Sequence, residues 1–284
     1  MIEILESGLY SSIQDLGRIG YRKYGVPVSG AMDQYSAKLS NRILNNSENA
    51  PVLEITLIGP ILKFNEACQI AISGAEFMPS VNNQIVENNT VLSILKGDVL
   101  KFGPVKKGMR TYLAILGGFE SESLMGSASY YPNITKCRFL KKGGQLFFKT
   151  GIPKLSKVNN GSNWNHSIFN IKEIEVFKGP EFEHLSSEMK ENILNQELKV
   201  SSQSNRMGYR LTHSMNLTAK EIITSPVMPG TVQLTPSGQL IILGRDAQTT
   251  GGYARVLQLT KVAQDHLSQI QFGKMIGFEL SKGQ

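Results

Sequence analysis

The sequence predicts a mainly β protein with a few short helices, built as two β-rich subdomains. Its 284 residues exceed the length of one typical domain, about 100–200 residues. Its 27 glycines are spread among short apolar runs, a distribution that is typical of short strands joined by tight turns. Apolar residues make up 40% of the chain and charged residues 19%, so it can bury a substantial core.

The first half begins with strand-like alternation at 2–6, followed by a glycine-rich stretch from Gln14 to Asp33. Asp33 is expected to cap a helix whose apolar residues share one face and which ends near Asn45. Further short strands are predicted at 52–58, 61–64, 69–72, 91–95, 99–102, 111–116 and 145–148. Short strands at regular spacing indicate a barrel or a sandwich.

We place an N-terminal subdomain at 1–152, a polar linker at 153–170 and a C-terminal subdomain at 171–284. The second half is predicted to contain strands at 174–177, 240–243 and 275–280, and helices at about 181–195 and 261–268. Arg18–Arg22 resembles Arg206–Arg210 in sequence, which would fit a duplication that produced two related barrels.

Composition and charge argue against several classes of protein. The net charge of +7 is dispersed rather than clustered, so we expect no nucleic-acid partner. The basic residues either lie on a solvated surface or attract an anionic substrate or an acidic subunit. No run approaches the length of about 18 apolar residues that a membrane span needs. The N-terminus lacks the features of a secretory signal, and we expect a cytoplasmic protein.

The common catalytic motifs are missing from the sequence. Its four histidines are scattered, without metal-ligand spacing, so no metal is expected; His184 and His213 are the candidates if a general base is needed. There is no P-loop and no dinucleotide-binding glycine motif. Neither Cys68 nor Cys137 lies in a C-x-x-C motif, and Cys68 is predicted to be a buried small apolar residue.

The strongest candidate for a site is the loop Asp246–Tyr253, which follows an apolar strand. Gln248, Thr249 and Thr250 offer neutral donors and acceptors that suit an amide-like group. The paired glycines after them permit close approach of the backbone to a ligand. Asp246 would orient one of these groups or serve as an acid–base residue.

Three other polar segments have both a functional and a structural interpretation. The guanidinium of Arg206, close to Tyr209, suits a carboxylate or a phosphate, but a structural arginine is equally compatible. The loop that contains Ser29 and Asp33 is either an anion or carbonyl site at a helix N-terminus, or a turn with a helix cap. Glu54 and Thr56 share one strand face, which looks either into a barrel lumen or to solvent.

These segments, in their order along the chain, resemble the carboxyltransferase-type family that is also called allophanate hydrolase subunit 2. Within that family they are most similar to the C subunits of bacterial ATP-dependent 5-oxoprolinases. The motifs that carry the resemblance are Ser12–Arg18, Gly25–Asp33, Leu53–Thr56, Gly108–Ala114, Gly117–Gly118, Ser204–Arg210, Pro229–Gln233 and Asp246–Tyr253.

The resemblance implies a cyclophilin-like β-barrel and a heteromeric enzyme. The implied partners are an allophanate hydrolase subunit 1-type subunit and a lactam-utilising subunit. The implied reaction is the ATP-dependent opening of 5-oxo-L-proline to L-glutamate, with ATP as a substrate whose site is not placed, and we expect the isolated chain to be inactive. The alternatives are a biotin-dependent carboxyltransferase half, as in urea carboxylase, and a non-enzymatic regulatory subunit.

The sequence therefore yields one candidate catalytic residue, Asp246, and a set of candidate substrate-binding residues. The set comprises Arg206, Tyr209, Gln248, Thr249, Thr250, Gly251, Gly252, Ser29, Asp33, Glu54 and Thr56. One segment departs from the family pattern: Ala128 follows Met125–Ser127 where an arginine and a glycine-rich loop are usual, and the bulky pair Tyr130–Tyr131 comes next. We expect the altered segment Tyr130–Arg138 to change substrate specificity.

Overall fold

The computed structural model describes residues 1–136, 139–151, 169, 171–213, 217 and 220–282. The chain divides into two compact units. The first comprises Met1–Arg18 and Ser29–His166, and the second comprises Ile19–Val28 and Ser167–Gln284. Ile19–Val28, which the sequence placed in the N-terminal subdomain, thus belongs to the second unit. Apart from Phe169, the predicted linker at 153–170 lies outside the described residues.

Among the residues that the structure describes, the first unit contains strands β1 to β12 and one helix. The strands are β1 (Ile2–Glu6), β2 (Tyr10–Gln14), β3 (Val52–Thr56), β4 (Ile61–Phe64), β5 (Cys68–Glu76), β6 (Pro79–Val81), β7 (Gln84–Ile85), β8 (Leu92–Ile94), β9 (Val99–Phe102), β10 (Lys107–Ile115), β11 (Phe119–Glu120) and β12 (Gln145–Phe148), and the helix is α1 (Gln34–Ile43). They form a seven-stranded sheet in the order β11-β12-β1-β4-β9-β6-β7 and a five-stranded sheet in the order β2-β3-β10-β5-β8.

The core of the first unit is built by period-two alternation in both sheets. Ile2 of β1 and Leu62 of β4, from the seven-stranded sheet, belong to one buried cluster with Leu53 of β3 and Leu113 of β10, from the five-stranded sheet. The neighbouring residues on β3 and β10 point to the other face of the five-stranded sheet. There Tyr112 packs with α1 residues in a second cluster, so α1 covers part of this face.

The second unit contains a closed seven-stranded barrel in the order β13-β20-β17-β18-β15-β14-β21. The elements of the second unit, which include two helices and the separate two-stranded sheet β16-β19, are β13 (Glu173–Lys178), α2 (Ser187–Asn195), β14 (Leu198–Val200), β15 (Gly208–Thr212), β16 (Ser225–Pro226), β17 (Thr231–Leu234), β18 (Leu240–Leu243), β19 (Thr250–Gly251), β20 (Ala254–Leu259), α3 (Lys261–Ser268) and β21 (Met275–Leu280). The parallel pairing of β13 with β21 and the antiparallel pairing of β14 with β21 close the barrel. The mainly β class and the barrel predicted from the sequence are confirmed.

Some element boundaries differ from those that we predicted. The helix expected from about 181 is a short 3-10 turn at Phe182–His184 followed by α2, because the extended Leu185 and Ser186 separate them and the Ser186 side chain caps α2 at the Met189 amide. The two similar pentapeptides adopt different structures: Arg18–Arg22 contains a turn at 19–20 and enters a 3-10 turn only at Arg22, whereas Arg206–Arg210 enters β15 at Gly208. The local structures therefore do not support a duplication. Within the described ranges, no helix is long and apolar enough to cross a membrane.

Candidate functional site

The loop that follows β18 is organised by an ion pair between Arg206 and Asp246. Arg206 Nε donates to Asp246 Oδ2 at 2.7 Å, and Nη2 donates to Oδ1 at 3.2 Å. The Asp246 amide also donates to the Arg206 carbonyl at 3.0 Å. Both side chains are less than a tenth exposed, 9% for Arg206 and 8% for Asp246. Bidentate geometry in a buried setting makes this a strong contact.

This pairing gives both residues a structural contact, which is one of the two interpretations that the sequence left open for Arg206. The guanidinium fork of Arg206, which was expected to hold a substrate carboxylate or phosphate, binds Asp246 instead. The Asp246 carboxylate, the candidate acid–base group, is correspondingly engaged by Arg206. Tyr209 lies on the buried face of β15 with Leu211 and is only 2% exposed, so it belongs to the barrel wall rather than to an open site. The predicted roles of Arg206 and Tyr209 in substrate binding and of Asp246 in catalysis stay predictions.

The polar side chains that remain accessible lie further along the loop. Gln248 and Thr250 are exposed, and Thr249 is partly buried. The Thr249 carbonyl accepts from Val227 N at 3.1 Å and from Arg22 Nη2 at 3.4 Å, so the backbone of the loop is held from two sides. The short pairing of β16 with β19 holds Thr250 opposite Pro226. The loop therefore presents neutral hydrogen-bonding groups from a fixed backbone, which suits an amide or a ureido group.

Of the two glycines in this loop, Gly251 has a close contact within the chain and Gly252 does not. A Cβ on Gly251 would lie 2.7 Å from Nε2 of the buried Gln233, too close for any side chain unless the amide moved. A Cβ on Gly252 would meet only the Ile222 carbonyl, at an ordinary 3.4 Å. Sequence reasoning did not single out Gln233. Its signals were its place in the Pro229–Gln233 motif and a long polar side chain inside a short strand, β17, whose residues are all buried.

In the first unit, Glu54 lies at the centre of a buried hydrogen-bond cluster. Its Oε2 accepts from the Met32 amide at 2.7 Å and from the Tyr112 hydroxyl at 2.8 Å. The Tyr112 oxygen in turn accepts from the Asp33 amide at 2.8 Å. Burial raises the pKa of Tyr112 well above its usual value, and the nearby Glu54 and Asp33 carboxylates raise it further. Tyr112 is therefore a neutral donor to Glu54, and sequence reasoning missed it.

The N-terminus of α1 is capped by the chain's own carboxylates. Asp33 Oδ1 accepts from the Ser36 amide at 2.9 Å, its Oδ2 accepts from the Ser36 hydroxyl, and Glu54 takes the Met32 amide. The helix cap predicted for Asp33 is confirmed. Two carboxylates therefore already face this helix end, and the anion or carbonyl site considered for it stays a prediction.

Ser29 and Thr56 lie in the same unit as this cluster. Ser29 adopts a left-handed φ of 54° and is fully buried, and its Oγ has no hydrogen-bond partner among the described residues. Thr56 is 8% exposed and lies opposite Arg110 in the β3–β10 register, two positions from Glu54 on the same face. The structure thus places Ser29, Asp33, Glu54 and Thr56 in the first unit, and the Asp246–Tyr253 loop in the second.

Asp15, a further residue that sequence reasoning did not select, binds residues 127–129, which directly precede the altered segment Tyr130–Arg138. Its Oδ1 accepts from the hydroxyls of Ser127 at 2.6 Å and Ser129 at 2.5 Å, and its Oδ2 accepts from the Ala128 amide at 2.7 Å. Arg18 donates to the Ser129 carbonyl. The only signal in the sequence was the place of Asp15 within the Ser12–Arg18 motif. The expected effect of Tyr130–Arg138 on specificity stays a prediction, and Cys137 and Arg138 lie outside the described residues.

Metal ligation finds no support in the parts of the chain that the structure describes. No group of three or more His, Cys, Asp or Glu side chains there could hold a metal ion. Of the two histidines proposed as general bases, His184 lies in the 3-10 turn before α2, and His213 directly follows β15. Neither belongs to the Asp246–Tyr253 loop.

Comparison with known proteins agrees with this architecture. Residues 24–280 match the carboxyltransferase domain family, subdomains A and B. The chain belongs to this family. It is 32% identical to the C subunit of the 5-oxoprolinase of Escherichia coli strain K12, over 98% of this chain and 90% of that protein. It is also 34% identical to urea amidolyase of Lachancea kluyveri, over 74% of this chain but only 12% of that protein.

Solved structures of this carboxyltransferase family give the same fold. The structure of Kluyveromyces lactis urea amidolyase superposes on 98% of this chain with a TM-score of 0.89 at 29% sequence identity, and the match covers 18% of that protein. For Kluyveromyces lactis urea carboxylase the TM-score is 0.86 at 28% identity, covering 98% of this chain and 27% of that protein. The fold is therefore shared between proteins named for different reactions, and it does not fix the chemistry.

Proposed function

We propose that this chain is the C-type subunit of an ATP-dependent 5-oxoprolinase that opens 5-oxo-L-proline to L-glutamate. The observation that carries the proposal is the match to the C subunit of a 5-oxoprolinase over nearly the full length of both chains, 98% and 90%. The 5-oxoprolinase C subunit of Haemophilus influenzae matches with the same 32% identity and 98% coverage of this chain. The urea amidolyase match, in contrast, accounts for only 12% of that protein.

The chemistry requires activation of a stable amide. In the proposed reaction ATP transfers its terminal phosphoryl group to the lactam oxygen and ADP leaves. One water adds to the activated carbon, and the ring C–N bond breaks as the nitrogen takes a proton, which leaves an acyl phosphate. A second water then releases phosphate from this acyl phosphate to give glutamate. This chain would contribute the neutral donors and acceptors of Gln248, Thr249 and Thr250, which match the lactam N–H and C=O. Arg206 and Asp246 would hold the loop in place. We assign ATP binding to the assembled complex rather than to this chain alone.

The partners in this proposal are a subunit of the allophanate hydrolase subunit 1 type and a lactam-utilising subunit. The bacterial relatives are named as C subunits, which describes them as members of a multi-subunit enzyme. We expect the isolated chain to be inactive because an ATP-dependent reaction needs groups that bind phosphate, and the sequence has no P-loop. We also expect the complex to work in the cytoplasm.

A second candidate is a carboxyltransferase half that acts on biotin presented by a separate carrier. Its support is the family match itself together with the structural similarity to urea carboxylase. A lactam and the ureido ring of biotin offer similar donors and acceptors, so the Gln248–Thr250 segment suits either ring. A non-enzymatic regulatory subunit would use the same loop as a sensor.

The deciding experiment co-purifies the chain with both partner subunits and measures the ATP hydrolysis that depends on 5-oxo-L-proline, together with the glutamate formed. We expect activity from the complex and none from this chain alone. The matched arm supplies a biotin carrier, a biotin carboxylase, bicarbonate and urea. Activity confined to that arm would select the second candidate, and an intact complex that is inactive in both arms would leave the regulatory role.

A further inference from the structure

The second unit contains a cavity that the proposed reaction does not use. Its volume is about 610 Å³, and it lies between the segment Glu181–Met189 and the start of β20. Ligand pockets for small molecules typically enclose about 300–1,000 Å³, so the cavity has room for an occupant larger than ordered water. Lys220 and Ile222 form another part of its wall.

Much of the wall is apolar. Leu185 and Ala254 are buried, and Met189 and Ile222 are partly buried. Methionine has an unbranched, polarisable side chain that adapts to ligands of different shape. These four side chains therefore favour an occupant with an apolar body.

The ionisable lining residues that remain available in the cavity are Lys220 and His184. The carboxylate of Glu181 is taken by Arg255: Oε1 accepts from Nη2 at 2.7 Å, and Oε2 accepts from Nε at 2.9 Å and from the Arg255 amide at 2.8 Å. His184 and Lys220 are both exposed lining residues, and neither forms a salt bridge with another described residue. A lysine ammonium and an imidazole N–H thus border an apolar surface, next to a carboxylate that is already paired with Arg255.

We propose that this cavity binds a small organic anion with an apolar body, such as an aliphatic or aryl monocarboxylate. Lys220 and His184 hold the anionic group, and Leu185, Met189, Ile222 and Ala254 surround the apolar part. Removing apolar surface from water drives entry, and the charged groups select an anion over an uncharged analogue.

The cavity wall is connected by hydrogen bonds to the Asp246–Tyr253 loop. The Ile222 amide donates to the Gly252 carbonyl at 2.9 Å. A few residues further along the chain, Ser225 pairs with Gly251 in the β16–β19 ladder. An occupant that packs on Ile222 would therefore slow the opening of the Ile222 amide. This expectation concerns binding alone and does not depend on the reaction proposed above.

The test uses the full chain labelled with nitrogen-15, with 4-phenylbutyrate as the probe and 4-phenylbutanamide as the uncharged match. We expect 4-phenylbutyrate to shift the amide resonances of Leu185, Met189, Ile222 and Ala254 saturably, and to slow hydrogen exchange at Ile222. The amide analogue should bind more weakly. Equal binding of both compounds, shifts located elsewhere, or no shifts at any soluble concentration would overturn the proposal.

Substitutions at two exposed lining residues, where no loss of folding is expected, test whether these side chains hold the anion. Lys220→Gln and His184→Gln should each weaken the binding of 4-phenylbutyrate roughly two- to fivefold, the effect of removing one exposed ionic or hydrogen-bonding contact. Neither should change the affinity for 4-phenylbutanamide. Glu221→Gln, which alters an exposed neighbour that does not line the cavity, is the control and should leave the shifts unchanged. An unchanged affinity for 4-phenylbutyrate in both lining variants would show that neither side chain holds the anion.

Discussion

The guanidinium of Arg206 and the carboxylate of Asp246 form a two-bonded ion pair, with distances of 2.7 and 3.2 Å, although they lie 40 positions apart in sequence. Their side chains are 9% and 8% exposed, so neither charge can be left unpaired without a large desolvation cost. The pair joins the segment before β15 to the loop after β18. It explains why a loop dense in polar groups and glycine holds one backbone conformation.

We therefore predict that Asp246→Leu lowers the free energy of unfolding by about 3 kcal/mol, because it leaves a buried guanidinium without its carboxylate. The double variant Arg206→Met, Asp246→Leu should recover most of that loss, since it removes both charges. Urea unfolding followed by circular dichroism measures both. The control is Arg42→Met, which breaks the exposed pair with Glu48 and should cost less than about 1 kcal/mol. A double variant no more stable than Asp246→Leu would contradict the assigned role.

The sequence predicted local features more reliably than pairings between distant segments. β4, β9, β12 and α3 have the predicted bounds because apolar periodicity and turn residues define them locally. The cap by Asp33 was also visible, since it depends on the few residues that follow it.

The unpredicted part of the site depends on contacts across strands. Glu54 and Tyr112 are 58 positions apart and meet because β3 and β10 pair in a register that places them opposite each other. Tyr209 was taken for a loop residue because polar residues precede it, but pairing with β18 draws it into the barrel wall. Sequence reasoning detected polar character in both cases. It could not determine which polar side chain would satisfy which partner.

Removing the Tyr112 hydroxyl should destabilise the first unit. Tyr112→Phe leaves the Asp33 amide without its acceptor and takes one donor from Glu54, and a buried unsatisfied group costs about 1–3 kcal/mol. Urea unfolding measures the loss, and Tyr24→Phe, at a tyrosine that is 69% exposed, is the matched control. In an alkaline absorbance titration, the variant should also lose one late-titrating tyrosine, because the pKa of Tyr112 is raised. Equal stability of the two variants would argue against the cluster.

The ion pair between Glu181 and Arg255 should make stability depend on acid pH. Hydrogen bonds from Arg255 lower the pKa of Glu181 below its usual 4.5. A carboxylate with a lowered pKa in the folded state contributes stability that is present above its usual pKa and is lost as pH falls through the folded value. Glu181→Gln should therefore be less stable than the unaltered chain at neutral pH, and the gap should shrink below about pH 4.5. Unfolding curves measured across this pH range test the prediction. The control is Glu221→Gln, at an exposed residue, which should differ little in stability from the unaltered chain at every pH.

Cys68 should be an unreactive thiol in the folded chain. Burial raises its pKa to about 12, so little thiolate is present near neutral pH, and the thiolate is the nucleophile. In a Cys137→Ser background, Cys68 should react slowly with a maleimide in buffer and rapidly in urea. Fast modification of the folded chain would show that Cys68 is more accessible than its surroundings in β5 indicate. The Cys137→Ser, Cys68→Ser chain gives the background rate.

The exposed side chains of the Asp246–Tyr253 loop should matter for the reaction and not for stability. Gln248 and Thr250 are exposed, and their side chains form no hydrogen bond with another residue of the described ranges, so Gln248→Ala and Thr250→Ala should change the free energy of unfolding by less than about 0.5 kcal/mol. In the assembled complex each should lower kcat/KM for 5-oxo-L-proline about tenfold, the loss expected when a buried polar group of the substrate is left unpaired. Gln84→Ala, at an exposed glutamine on β7, should leave both quantities unchanged. A loss of activity with Asp246→Leu alone would be explained by collapse of the loop, whereas a loss with these stable variants requires contact with the substrate.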